Sequence, residues 1–307
     1  MMRINKNYTS SAKTLGVGHI HKVKHLISMH AKILGDDLST LISLEFTPFN
    51  NHQEFYDIEA DDQSLKKLLN FESYDYFDYE FDQALSRVMN NLFLTSKTYI
   101  EYAIVKDEGG NIVGLSLIPF DAIKMITLRG NTFFLSKDYN GKLLMFNISA
   151  QHYIELNTKG LGIKRNYFKK LVRKLKRMDK DRSAEFTTNE KMSKKFVFSS
   201  WVKRKDFLLL KHPRKIGWYG RHATNSLLSE SYLFYRTIEF KLFRQKCLDY
   251  LLKQINLGLQ TISDEIQANG KIVIKMPITD YEKEWQRYVN GEICASELSD
   301  IIYKMPS

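Results

Sequence analysis

The sequence predicts an α+β protein, with an antiparallel sheet in the middle of the chain and helices on either side. Three observations carry this. Apolar residues recur at helical spacing in residues 81–95 and again in residues 166–182. Between these segments, from Thr98 to Asn157, the period changes from 3.6 to 2. Glycine- and asparagine-containing turns, Gly109-Gly110, Gly130-Asn131 and Asn140-Gly141, punctuate that stretch.

Residues 19–35 space Ile20, Val23, Leu26, Ile27, Ile33 and Leu34 as a helix, with Gly35 as its stop signal. Residues 63–69 read as a short helix. In residues 81–95 the stripe Phe81, Leu85, Val88, Met89, Leu92 marks an amphipathic helix. TYIEYAIVK (98–106) and IVGLSLIPF (112–120) alternate as strands around DEGGN, whose Gly-Gly tolerates positive φ, so a hairpin is expected. Residues 121–157 add further strands. NYFKKLVRKLKRMDKDR (166–182) places Phe168, Leu171, Val172, Leu175 and Met178 on one helical stripe, with Lys and Arg nearly everywhere else. KFVFSSWVKRKDFLLLKH (195–212) reads as extended. Residues 226–257 form a long helix that Asn256-Leu257-Gly258 ends or kinks, KIVIKMP (271–277) is a short strand, and residues 280–289 and 295–302 are terminal helices with Asp280 and Ser296 as N-cap candidates.

Composition narrows the function. The 307 residues carry 43% hydrophobic and 26% charged residues, enough for a packed core and unlike a disordered chain. No run reaches the roughly 18 apolar residues of a membrane span, and residues 1–22 lack the apolar core of a secretory signal. A cytoplasmic protein, cellular or viral, is expected. Cys247 and Cys294 form no CxxC pair, so two buried thiols are expected rather than a zinc or redox motif. Net charge is +11, unevenly placed: Lys159 to Arg221 hold 21 basic and 5 acidic residues, leaving the rest at −5, and Asp36 to Asp82 hold 13 acidic and two basic. One basic module in a mildly acidic chain suits a polyanionic partner. A three-part division follows: 1–158 with the N-terminal helices, acidic aromatic segment and sheet; 159–258 with the basic module and long helices; and 259–307.

Catalytic signals are sparse. His19, His21, His25 and His30 crowd one segment, and His21/His25 are spaced i, i+4, but no HExxH glutamate or further ligand accompanies them. There is no GxSxG and no P-loop; Gly16-Val17-Gly18 stands alone. Glu59, Asp61 and Asp62 read as a solvated loop. Arg221-His222 and Tyr250 loosely match a tyrosine-recombinase constellation, but His212-Pro213-Arg214 has the wrong spacing. No enzyme, metal or cofactor is expected. The candidate nucleic-acid contacts are Lys164, Arg165, Lys169, Lys170, Arg173, Lys174, Lys176, Arg177, Lys203 and Arg204, acting on phosphates without reading bases, since no base-reading motif is present. A solvated basic face is the alternative. A membrane surface fits poorly because the apolar stripe is narrow and lacks Trp. Phe168, Leu171, Leu175, Met178, Tyr232 and Tyr235 are the expected packing residues, between helices or between subunits.

FDQALSRVMNNLFLTSKTYIEYAIVKDEGGNIVGLSLIPFDAIKMI (81–126) resembles the wing region of tailed-phage portal proteins: an amphipathic helix, a strand, a glycine turn, then a strand ending in a proline motif. DFLLLKHPRKIGWYGRHATNSLLSESYLFYR (206–236) is similar to the portal segment that leads through a "yG" loop into a stem helix, and NGEICASELSDIIY (290–303) to a late portal helix. The resemblance covers roughly residues 75–303. It implies a central antiparallel wing, a stem helix at 160–181, a small strand-rich clip at 184–207, a second stem helix at 227–255 and a short crown-like C-terminus. It also implies a homo-oligomeric ring of about a dozen subunits at one capsid vertex of a virion assembled in the host cytoplasm. That ring would pass double-stranded DNA during packaging and ejection and dock capsid protein, packaging motor and tail connector. The other expectations are a sequence-independent DNA- or RNA-binding protein using 159–221 and a DNA-processing enzyme.

Overall fold

Helices and antiparallel sheets both occur in the computed structural model, which describes residues 7–8, 28–41, 55–60, 63–70, 77–128, 131–137, 142–186, 198–220, 230–275 and 279–303. Contacts divide the chain into two compact units, each discontinuous in sequence: Met1–Val23, Asn50–Arg165 and Leu248–Pro277 in the first, and Lys24–Phe49, Asn166–Cys247 and Ile278–Ser307 in the second.

The first unit is built on strands. Its largest sheet centres on β3 (Lys97–Lys106), which pairs along one side with β4 (Ile112–Phe120). On its other side β3 pairs with β8 (Tyr153–Asn157) and with the two-residue β1 (Asn7–Tyr8). Nearly every residue of β3 is buried, so both its faces are covered. The expected hairpin forms. Asp107 closes its turn by accepting the Asn111 backbone N–H at 2.8 Å, and Gly110 takes φ +83°. Helix α3 (Phe77–Thr95) buries its stripe Phe81, Leu85, Val88, Met89 and Leu92. Strands β5 (Lys124–Leu128), β6 (Asn131–Lys137) and β7 (Leu143–Asn147) make a separate antiparallel meander. Phe134 and Phe146 of the meander meet Tyr99 and Phe120 in an aromatic cluster with ring centroids 5.0–5.8 Å apart. Strand β2 (Tyr56–Ala60), followed by the short helix α2 (Ser64–Leu69), pairs with β9 (Gly270–Ile274).

The second unit is helical. It holds α1 (Met29–Ser39), α4 (Tyr167–Phe186), α5 (Phe198–Lys211), the first part of α6 (Glu230–Ile266), α7 (Tyr281–Val289) and α8 (Ala295–Tyr303). Polar clamps fix α1 along its length. Asp179 of α4 accepts the His30 backbone N–H at 3.0 Å and the Ser28 hydroxyl at 2.5 Å, at the N-terminus where free N–H groups favour an anion. Trp218 Nε1 donates to Asp37 Oδ2 at 2.8 Å, and Arg244 donates to the Thr40 and Leu41 carbonyls at the C-terminus. Asp280 caps α7 as expected, accepting the Lys283 N–H at 3.0 Å.

Several expectations need correction. Residues 198–211 are helical, not extended, so the strand-rich clip does not exist across them: Asp206 and Leu209, spaced i, i+3, are the buried positions among the described side chains of α5. Gly35 does not stop a helix. It sits buried inside α1, where tertiary packing outweighs its roughly 1 kcal/mol propensity cost. Nor does Asn256-Leu257-Gly258 end α6. The Asn256 amide exchanges two 2.8 Å hydrogen bonds with the Ile272 backbone of β9, and Gly258 lets the Tyr102 ring approach so closely that a Cβ would lie 2.0 Å from its hydroxyl. Ser296 lies within α8 instead of capping it, and Cys294 is exposed while Cys247 is buried.

Candidate nucleic-acid interface

The spacing that buries one side of α4 leaves the other side basic along residues 169–177. Phe168, Leu171, Val172, Leu175 and Met178 are all buried. Lys169, Lys170, Arg173, Lys174 and Arg177 are exposed on the opposite side, with Lys176 half-buried at its margin. None of these six has a carboxylate partner among the described residues. Within residues 167–179 the one acid, Asp179, is hydrogen-bonded to α1; burial opposes its ionisation, but the hydrogen bonds from His30 and Ser28 hold its carboxyl below the usual range. Lys164 and Arg165 are exposed but precede α4 and belong to the first unit.

Helix α5 carries a second basic face. Among the described side chains Lys203, Arg204, Phe207 and Lys211 are its exposed positions, and Lys211 Nζ lies 5.4 Å from the Phe207 ring centroid. The two helices meet at His212. Its carbonyl accepts from the Tyr167 hydroxyl at 3.4 Å, and its Nδ1 lies 3.3 Å from Lys174 Nζ. Partial burial, then the charges of Lys174 and Lys211, push the His212 pKa down. Lys174 of α4 and Lys211 at the end of α5 therefore converge on this imidazole. Exposed Arg214 and Lys215 follow directly.

The loop that carries these groups is held from behind. Arg236 of α6 is fully buried and donates to the Arg214 carbonyl at 2.9 Å, the Trp218 carbonyl at 3.2 Å and Glu239 at 2.9 Å. Gly217 takes φ +72° where a Cβ would lie 2.2 Å from the Phe240 backbone nitrogen, so only glycine fits. Burial, offset by Arg236 and a Lys215 backbone hydrogen bond, pushes Tyr167 up to about 12, which keeps its hydroxyl protonated as a donor.

Phe207, Lys211, His212, Arg214, Lys215 and Tyr167 were not expected here. The helical spacing of Phe198, Trp201, Val202, Leu208 and Leu209 is the sequence signal that places them. The other candidates have ordinary partners. His30 bonds Asp179, Glu59 pairs with Lys271 at 2.8 Å, and the half-buried Tyr250 hydroxyl accepts the Asn157 N–H at 3.3 Å. His19, His21, His25, Asp61, Asp62, Arg221 and His222 lie outside the described residues. Among the described residues no group of three metal-ligating side chains assembles, and no helix is long and apolar enough to cross a membrane. Tyr232 and Tyr235 are exposed on α6, ring to ring at 6.5 Å, and Tyr235 leans on Trp285 of α7 at 5.8 Å.

Comparison with protein-family models gives no match, and a search of curated proteins gives none either.

Proposed function

We propose that the chain is a ring-forming subunit of the portal type that handles double-stranded DNA without catalysis, meeting the phosphate backbone through the α4–α5 basic surface. The observation that carries the DNA-handling part is the row of exposed cations on α4, continued at Lys211, Arg214 and Lys215, with no carboxylate to neutralise α4's six among the described residues. Such a surface binds phosphates irrespective of sequence and weakens as salt rises. The ring part rests on the portal resemblance. It is supported by the element order from α3 through the β3–β4 hairpin, the meander and β8 to the basic helix. On this reading residues 77–157 form the wing and α4 and α6 the stem. Partners are capsid protein, packaging motor and tail connector, at a capsid vertex.

Negative-stain imaging with light scattering of the purified full chain tests the ring. Discrete rings, with a mass many times the 36.0 kDa monomer, are expected. A monomeric mass at micromolar concentration in both low and high salt overturns it. The same basic surface favours a second reading, a monomeric or dimeric protein binding DNA or RNA through phosphates, and that reading survives a monomeric result if salt-dependent binding persists.

A further inference from the structure

The β5–β6–β7 meander packs one face through β6 and β7, β5 being exposed throughout, and leaves the other face apolar. Residues opposite one another in an antiparallel ladder share a face. Met125, Phe134 and Phe146 are in register, and Phe134 and Phe146 enter the aromatic cluster. The neighbouring registers put Leu135 beside Met145, Ile126 beside Phe133, and Leu143 beside Lys137 on the opposite face, which Leu128 extends. There Ile126 is 39% exposed, Leu128 60%, Leu143 55% and Met145 66%, with Phe133 and Leu135 half-buried between them. The face's charged residues are Lys124 and Lys137, and among the described residues no further strand pairs with the outer edge of β5 or β7.

We infer that this outer face is a self-association surface, covered by a second copy of the chain. Its six apolar side chains uncover on the order of 500 Å² of apolar surface, near the upper end of what a lone chain leaves open to water. A matching surface on a second copy brings the buried total to about 1,000 Å², the lower bound of a specific interface. Two outer strand edges flank the patch, and such edges template pairing with a strand of another chain unless something covers them. The surface belongs to the first unit and uses none of the α4–α5 cations, so it extends beyond the DNA-handling proposal.

Analytical ultracentrifugation of the full chain in high salt tests it, with Leu128→Glu/Met145→Glu as the disruptive variant and Leu143→Ser as a milder one. Both change exposed side chains, and circular dichroism verifies folding. The wild type should exceed the monomer mass, the double variant should raise the dissociation constant about tenfold or more, and Leu143→Ser should do so by a smaller factor. An unchanged mass in both folded variants overturns the inference even if the wild type forms rings. A wild-type dimer that the variants dissociate upholds it while removing the ring. A monomeric wild type that instead sediments with anionic phospholipid vesicles overturns it in favour of a membrane occupant.

Discussion

The two units bury different chemistry. The first is closed by strand ladders and an aromatic cluster, and Tyr102 inside it makes a neutral hydrogen bond to the Ile255 carbonyl at 2.8 Å. The second buries Arg236, Arg244, Asp37 and Asp206 and joins its elements through charged donors and acceptors, whereas the buried charged residues of the first are the carboxylates Glu101 and Asp121. The difference follows from what each unit carries. A ladder orients strands through the backbone itself, whereas packed helices share no backbone hydrogen bonds, so side chains must fix their register. Charge-assisted hydrogen bonds do this directionally, and losing one partner leaves the other desolvated and unpaired. The unit with the basic face is therefore the one that buries arginines and fixes its elements through them.

Truncations should separate the two. Phe134→Ala removes the centre of the aromatic cluster and should cost about 3–5 kcal/mol. Arg236→Ala strips donors from the Arg214 and Trp218 carbonyls and leaves Glu239 without its buried partner, for a loss of about 3–5 kcal/mol. Hydrogen exchange should show lost protection centred on β3, β4 and β6 for the first variant, and on α4, α5 and the start of α6 for the second. Equal loss throughout the chain for both would erase the distinction.

A smaller effect is expected at Gly258. Alanine there collides with the Tyr102 ring and should cost about 1–3 kcal/mol by chemical denaturation. Asp179→Asn should cost about 1–2 kcal/mol and should also change the acid response. Because the native Asp179 carboxyl lies below its unfolded value, its contribution is full above roughly pH 4 and is lost as pH falls through the native value. The wild type should therefore lose stability more steeply on acidification than the asparagine variant, and parallel acid-denaturation curves would contradict this. The smallest effect is at His212, whose native pKa is depressed. Its NMR titration should fall below that of a free histidine and move upward when DNA places phosphate beside Lys174 and Lys211. No movement on adding DNA would detach His212 from the interface.

Local pattern carried much of the fold. The hairpin was legible because the apolar period drops to two on both sides of a glycine turn, and the α4 stripe because five apolar residues keep helical spacing among cations. Helix α5 reads as extended because Phe196, Val197 and Phe198 favour extended backbone and obscure the helical spacing that follows, and the burial of Asp206 depends on tertiary neighbours. Gly35 and Gly258 misled because their glycine serves packing inside a helix, which local propensity does not register. Within the candidate interface, the α4 cations could be read directly from sequence. The Lys174–His212 contact could not, since it joins residues 38 apart, nor could the burial of Arg236, which in sequence looks like any helix-surface arginine.

The most direct test of the DNA-handling claim is the salt dependence of affinity for arbitrary duplex DNA, compared between the wild type and Lys169→Glu/Lys170→Glu/Arg173→Glu/Lys174→Glu. Each phosphate contact contributes about 0.9 to the slope of log affinity against log salt. The wild type should therefore show a slope of several units, and the folded variant should lose most of both slope and affinity. An unchanged slope and affinity in the variant would contradict the assignment of the α4–α5 surface.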